Sequence, residues 1–195
     1  AFNTNKRGVT LDLDQATGVD LLLRLLVDTD VLIESYPPGH MESLGLGIPF
    51  LNQTNPGLIV LSSTYFGQTG PYSNYQGGDL VAQAVGGFLH AVTGSADQPP
   101  MGTAPEQMEI TAARNGVIAI MAALFQRQTS GKGSHIDLST MEAAISTPSG
   151  LIHPFTFTGR SPIRGGSDGN VMDGMHLPTA DGEVTLTTAG TGGRA

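Results

Sequence analysis

Polar and apolar positions alternate with two different periods along this chain. Val9-Thr10-Leu11-Asp12-Leu13 switches at every residue, which is the pattern of a half-buried strand. Thr17-x-x-Asp20 reads as a helix start. Leu21 to Val27 is almost continuously apolar, so that helix is expected to be covered on more than one side. Val31-Leu32-Ile33 is a short β-branched run, hence a second strand, and Tyr36-Pro37-Pro38-Gly39 breaks it. A short helix with irregular ends is expected between Met41 and Asn55. Leu58-Ile59-Val60-Leu61-Ser62 follows as a strand buried on both faces, as in a parallel sheet. Strand, helix, strand, helix, strand is the βαβ signature of an α/β fold.

The period changes after the loop Tyr65-Phe66-Gly67-Gln68-Thr69-Gly70-Pro71-Tyr72, whose glycines and aromatics fit either a ligand loop or a packed connector. A helix is expected from Asp79 to Leu89, with Gly86-Gly87 marking a close packing or a break. Beyond Pro99-Pro100, residues Ile110, Ala113, Val117, Ile120, Met121 and Leu124 recur at spacings of three and four. They predict an amphipathic helix with those residues on one buried face. Glu109 stands where that helix begins. The helix dipole favours an ionised acid there, and an ionised carboxylate on a rigid element can act as a nucleophile. It can equally be an ordinary acidic residue of a first turn. Thr129-Ser130-Gly131-Lys132-Gly133 lacks the Walker spacing and reads as a helix stop. His135 to Leu138 is a strand, and Ser139-x-x-Glu142 is a capping box opening a helix over Met141–Ser146. Gly, Pro, Ser and Thr then dominate up to Gly174. A turn at Thr179–Gly182 and a strand at Val184–Thr187 close the pattern. The expected division is a large domain over 1–148, a linker over 149–174 and the start of a small domain over 175–195.

Composition narrows the chemistry. The 195 residues are 39% hydrophobic, enough for a real core, and the net charge is −8 with nine Lys and Arg. A nucleic-acid surface needs a basic stripe, so nucleic acid is excluded as a partner. No apolar run approaches the ~20 residues of a membrane span, and no charged-then-apolar leader opens the chain. Neither a membrane nor a secretory signal is expected. With no cysteine there is no disulfide and no thiol catalysis. A cytoplasmic location fits. The five histidines are scattered without a His-x-x-x-His pair, so no metal site is expected.

Four motifs stand in a familiar order. They are Asn5–Leu13, Ile33–Gly39 with Leu44-Gly45-Leu46-Gly47, Phe66–Tyr72, and Ala122-Ala123-Leu124 with Gly131–Leu138. Together they resemble the class III CoA-transferase, or CaiB/BaiF, family, which includes formyl-CoA and carnitine CoA-transferases and α-methylacyl-CoA racemases. The resemblance covers essentially the whole chain and implies that it is a fragment of a longer member. It implies a Rossmann-like parallel sheet with flanking helices, then a linker and the first strands of a small second domain. It also implies an interlocked homodimer, coenzyme A and acyl-CoA as substrate, and a small carboxylic acid as partner.

The family's nucleophile is an Asp that forms a mixed anhydride and then an enzyme–CoA thioester. Counting back from Ala123-Leu124 and forward from Pro99-Pro100 both place it at Glu109. The CoA contacts implied are Lys6, Arg7, Leu11, Ser35, Tyr36, Pro37, Gln76, Gly77, Gly78 and Asp79. Gly169 and Asn170 fall in the region of the family's glycine-rich active-site loop. This chain departs from the pattern in places. Asp14 and Ser43 stand where members commonly have Lys and Arg, Ala113 stands for a common Gly, and Gly78-Asp79 replaces the His-Asp pair of the racemases. A CoA-transferase is the leading expectation. A non-catalytic paralogue or partner subunit is one alternative and a racemase-like enzyme another.

Overall fold

The structure, a computed structural model, describes residues 3–91, 99–147, 155–157, 159 and 175–186. Its elements are α1 (Ala16–Leu26), β1 (Val31–Glu34), α2 (His40–Ser43), α3 (Ile48–Thr54), β2 (Ile59–Thr64), α4 (Asp79–Val85), α5 (Phe88–Ala91), α6 (Gln107–Ser130), β3 (His135–Ser139), α7 (Thr140–Ile145), β4 (Met175–Pro178) and β5 (Glu183–Leu186). The chain divides into two compact units, one of residues 1–74 with 114–138, the other of residues 75–113 with 139–195. The expected boundary at 148 and most of the linker lie outside the described residues.

The first unit is built on a parallel three-stranded sheet of order β1-β2-β3. Val31 pairs with Ile59 and Glu34 with Ser62. As the middle strand, β2 is closed in from both faces, and Ile59, Val60, Leu61 and Ser62 are buried. Leu26, Met41, Leu46, Leu51, Leu58 and Val60 form the core, with Val19, Leu22, Leu23 and Ile48 packed around it. Each fully buried aliphatic side chain contributes about 1.5–3 kcal/mol. Asn55 fastens the end of α1 to this core. Its Nδ2 lies within hydrogen-bond distance of the carbonyls of Leu26, Val27 and Thr29 at 2.9, 3.2 and 3.0 Å, at and just past the helix terminus.

Four expectations need correction here. Val9–Leu13 forms no strand. A strand needs a neighbour's hydrogen bonds, none pairs with this segment among the described residues, and Val9 is 70% exposed. Its polar positions instead build a turn, with Asp12 Oδ1 accepting the Asp14 N–H at 3.1 Å. The helix over Leu21–Val27 is covered on one side only, because Leu21, Leu25 and Val27 are exposed. The single helix expected between Met41 and Asn55 is two, parted at Leu44–Gly47 where Gly45 has φ +75°.

The buried face of α6 differs most. Met108, Ala112, Gly116 and Ala123 are buried, whereas Val117, Ile118, Met121 and Phe125 are exposed, Phe125 to 74%. At Gly116 a small residue faces inward because the sheet comes very close. A Cβ added to Gly116 would lie 3.1 Å from Leu138 and 3.3 Å from Leu61. Apolar residues therefore cover both sides of α6. It is the one helix among the described residues long and apolar enough to cross a membrane, with a mean hydropathy of 1.4 over an 18-residue window. Its longest unbroken apolar run, Gly116 to Phe125, stays short of the ~20 residues of a span, as expected.

The second unit holds α4, α5, the first turns of α6, α7 and a hairpin. The glycine pair is both a break and a close approach. α4 ends at Val85, and a Cβ on Gly86 would stand 2.7 Å from the Ala144 Cβ of α7. Ser139 caps α7 as expected, its Oγ accepting the Glu142 N–H at 3.3 Å. β4 and β5 are antiparallel, with Met175 opposite Leu186 and Pro178 opposite Glu183. The pattern of the sequence signalled only the second of these strands.

Candidate active site: a carboxyl pair at the start of α6

In the second unit the loop before α6 is shaped by Glu106, which has φ +63°. Its carbonyl accepts the Ile110 N–H at 3.0 Å, so Glu106 begins the helix. The next open donor is the Met108 N–H. It reaches Asp79 Oδ1 at 3.0 Å. Asp79 is itself the first residue of α4. One carboxylate thus stands in the first turn of one helix while capping the start of another, and both dipoles favour its charge.

The other oxygen of Asp79 is also held. Gln83, one turn along α4 and 2% exposed, donates from Nε2 to Asp79 Oδ2 at 2.7 Å. Its Oε1 accepts the Thr103 N–H at 2.8 Å. Glu109 completes the group, its carboxyl hydrogen-bonded to that of Asp79. A bond between two carboxyl groups carries one proton. Burial acts to raise the Asp79 carboxyl. The Met108 N–H, the Glu109 carboxyl, the Gln83 amide and the Glu106 N–H outweigh it and hold Asp79 below the usual carboxylate value. Chemically the site is an ionised, immobilised carboxylate beside a second carboxyl on a rigid helix.

The residues singled out from the sequence fall into two groups. Gly78, Asp79 and Glu109 come together in the second unit, with Gln76 and Gly77 exposed just ahead of them in the chain. Lys6, Arg7, Leu11, Ser35, Tyr36 and Pro37 belong to the first. Lys6 and Arg7 are exposed, and Lys6 Nζ donates to Asn3 Oδ1 at 3.0 Å. Leu11 is half-buried. Ser35, Tyr36 and Pro37 are exposed past the end of β1, the Tyr36 ring 4.6 Å from that of His40. Gly169 and Asn170 lie outside the described residues. Gln83 and the donors Met108 and Thr103 had not been anticipated. The spacing of Gln83 from Asp79, four residues along a helix, was a signal that could have found it.

The first unit has a polar cluster of its own. A cavity of ≈ 20 Å³, room for about one water, is lined by Glu34, Met41, Leu51, Ser62, Gln68 and His135 among others. Glu34 is buried and its Oε2 accepts the Tyr36 N–H at 2.8 Å. Ser62 Oγ and His135 Nε2 are 2.9 Å apart. The Gln68 N–H is gripped by both Asp137 oxygens at 3.0 Å, which fixes the start of the Gln68–Tyr72 loop. Among the described residues no group of three or more His, Asp and Glu could hold a metal ion.

Comparison with known proteins places these features in context. The model of CoA-transferase family III matches residues 1–192. The succinate–glutarate CoA-transferase of Agrobacterium fabrum is 35% identical over 98% of this chain and 48% of its own length. The succinyl-CoA–L-malate CoA-transferase alpha subunit of Chloroflexus aurantiacus is 40% identical over 72% of this chain and 33% of its own. A crystal structure of a CaiB/BaiF family protein from Brucella suis superimposes with a TM-score of 0.80 at 34% identity, over 91% of this chain and 47% of that one. The chain spans about half the length, or less, of the relatives it matches.

Proposed function

The chain belongs to CoA-transferase family III, and from that premise we propose that it carries the nucleophile of a CoA-transferase, Glu109. Glu109 attacks the thioester of an acyl-CoA, forming a mixed anhydride and releasing CoA thiolate. The thiolate attacks the Glu109 carbonyl, giving an enzyme–CoA thioester and the free acid of the donor. An incoming carboxylate repeats the two steps in reverse order and leaves as the new acyl-CoA, restoring Glu109. The observation that carries this reading is the place of Glu109 in the first turn of α6, beside the Asp79 carboxylate. The helix holds the carboxyl in one place, and effective molarity depends on such placement.

The substrates follow the names of the relatives, which act on succinyl-CoA, succinate, glutarate and L-malate; a small dicarboxylic acid is the favoured acceptor. Lys6 and Arg7 would serve the CoA phosphates, and Leu11, Ser35, Tyr36, Pro37 and the Gln76–Gly78 backbone the rest of the cofactor. The whole protein would be an interlocked homodimer in the cytoplasm. The second reading is a partner subunit. Asp14 and Ser43, where relatives commonly carry cations, favour it, and so does a relative that is itself called a subunit.

Incubation with succinyl-CoA followed by mass spectrometry tests the choice. A covalent adduct on Glu109 that hydroxylamine releases, absent from Glu109→Gln, is the expected result. A clean spectrum with succinyl-CoA and glutaryl-CoA would overturn the catalytic reading in favour of the partner subunit.

A further inference from the structure

The Gln83 side chain is doubly committed. It is buried in the middle of α4, a position where an amide is normally replaced by an apolar residue unless its polar atoms are used. Both ends are used. The amide nitrogen meets Asp79 Oδ2 at 2.7 Å and the amide oxygen meets the Thr103 N–H at 2.8 Å. The first contact leaves Asp79 Oδ1 to the Met108 N–H at 3.0 Å, so the carboxylate plane cannot rotate. The second ties the segment ahead of α6 to α4, and that segment ends at Glu106, the left-handed residue from which α6 starts.

We propose that Gln83 is a positioning residue for the carboxyl pair: its amide locks the Asp79 carboxylate and the Thr103 backbone in one geometry, and through Asp79 it fixes where Glu109 stands. The inference rests on the reading of Glu109 as nucleophile for its catalytic consequence, but not for its structural one. An amide is suited to the task because it holds a donor group and an acceptor group on one rigid plane. Leu at this position would fill the volume and serve neither partner. Glu would keep the acceptor for Thr103 and set a second acceptor against Asp79, unless it holds a proton, in which case it donates as Gln does.

The test follows from that difference. The Asp79 carboxyl carbon is titrated by NMR in the wild-type chain, in Gln83→Leu and in Gln83→Glu, with thermal unfolding as the control for folding. The Asp79 midpoint should move upward in both variants. Acylation of Glu109 by succinyl-CoA should fall about 10²-fold in Gln83→Leu, the order expected for a displacement of about 1 Å. In Gln83→Glu it should recover at acid pH relative to Gln83→Leu, a response that a purely space-filling role would not give. An unmoved Asp79 midpoint in either folded variant overturns the proposal. If the wild type forms no adduct while the midpoint still moves, the positioning holds and the assignment of Glu109 as nucleophile fails. Should Gln83→Leu not fold, the near-isosteric Gln83→Glu carries both readouts.

Discussion

Asp79 and Glu34 are two carboxylates that the fold draws inward, and it holds them in opposite ways. Asp79 meets the Met108 and Glu106 N–H groups, the Gln83 amide and the Glu109 carboxyl. Glu34, 9% exposed, takes the N–H of Tyr36, only two residues along the chain. Gln83 uses both ends of its amide, whereas in the first unit Thr64 Oγ1 and Gln68 Nε2 are buried with no partner among the described residues. Around Asp79 two of the four partners are backbone N–H groups at the start of α6, which cannot turn away. Around Glu34 the donor is the single Tyr36 N–H, and a cavity with room for about one water lies beside it. The lesson is that burial alone does not make a carboxylate a working group. The number of immovable donors does, because they set both its charge and its direction.

The sharpest way to break the contrast is Asp79→Ala. It leaves the Met108 N–H and the Gln83 amide without an acceptor and should cost about 2–3 kcal/mol, read as a fall in the urea midpoint. The pH dependence of Asp79→Asn refines this. The folded carboxyl is held below its ordinary value, so its contribution is complete above the unfolded value of about 3.9 and is lost as pH falls through the lower folded value. The stability gap between wild type and Asp79→Asn should therefore be constant at neutral pH and shrink in that acid range. A gap that stays constant throughout would mean the donors do not act on the charge. In the first unit the effects should be smaller. Ser62→Ala removes the bond to His135 and should cost about 1 kcal/mol in the same assay. Thr64→Val, which deletes a hydroxyl that has no partner among the described residues, should lie within about 0.5 kcal/mol of neutral. A large loss from Thr64→Val would erase the distinction between the two neighbourhoods.

Much of the fold could be read from local pattern, where local pattern is what decides. Leu58–Leu61 is apolar at every step because β2 is covered on both faces, and Ser139 with Glu142 announces α7 by the contact it then makes. The reading failed where a partner distant in sequence decides. Val9–Leu13 alternates like a strand and has no neighbour to pair with. On α6 the large apolar residues suggested the wrong face, because the sheet approaches so closely at Gly116 that a larger side chain would not fit there. The site divides in the same way. Glu109 could be placed at a helix start from the sequence, but its contact with Asp79, thirty residues earlier, follows from how α4 meets α6 and from no periodicity.

The turn at Glu106 can also be considered in terms of chirality. With φ +63°, this residue adopts the hand that an L-amino acid disfavours by about 1–2 kcal/mol and that its mirror image would take freely. Reversing the hand for one residue is what turns the Glu106 and Met108 N–H groups toward the same carboxylate. The carboxyl pair is therefore framed by a single inversion of backbone handedness, and its donors face Asp79 because one L-residue stands in a D-residue's place.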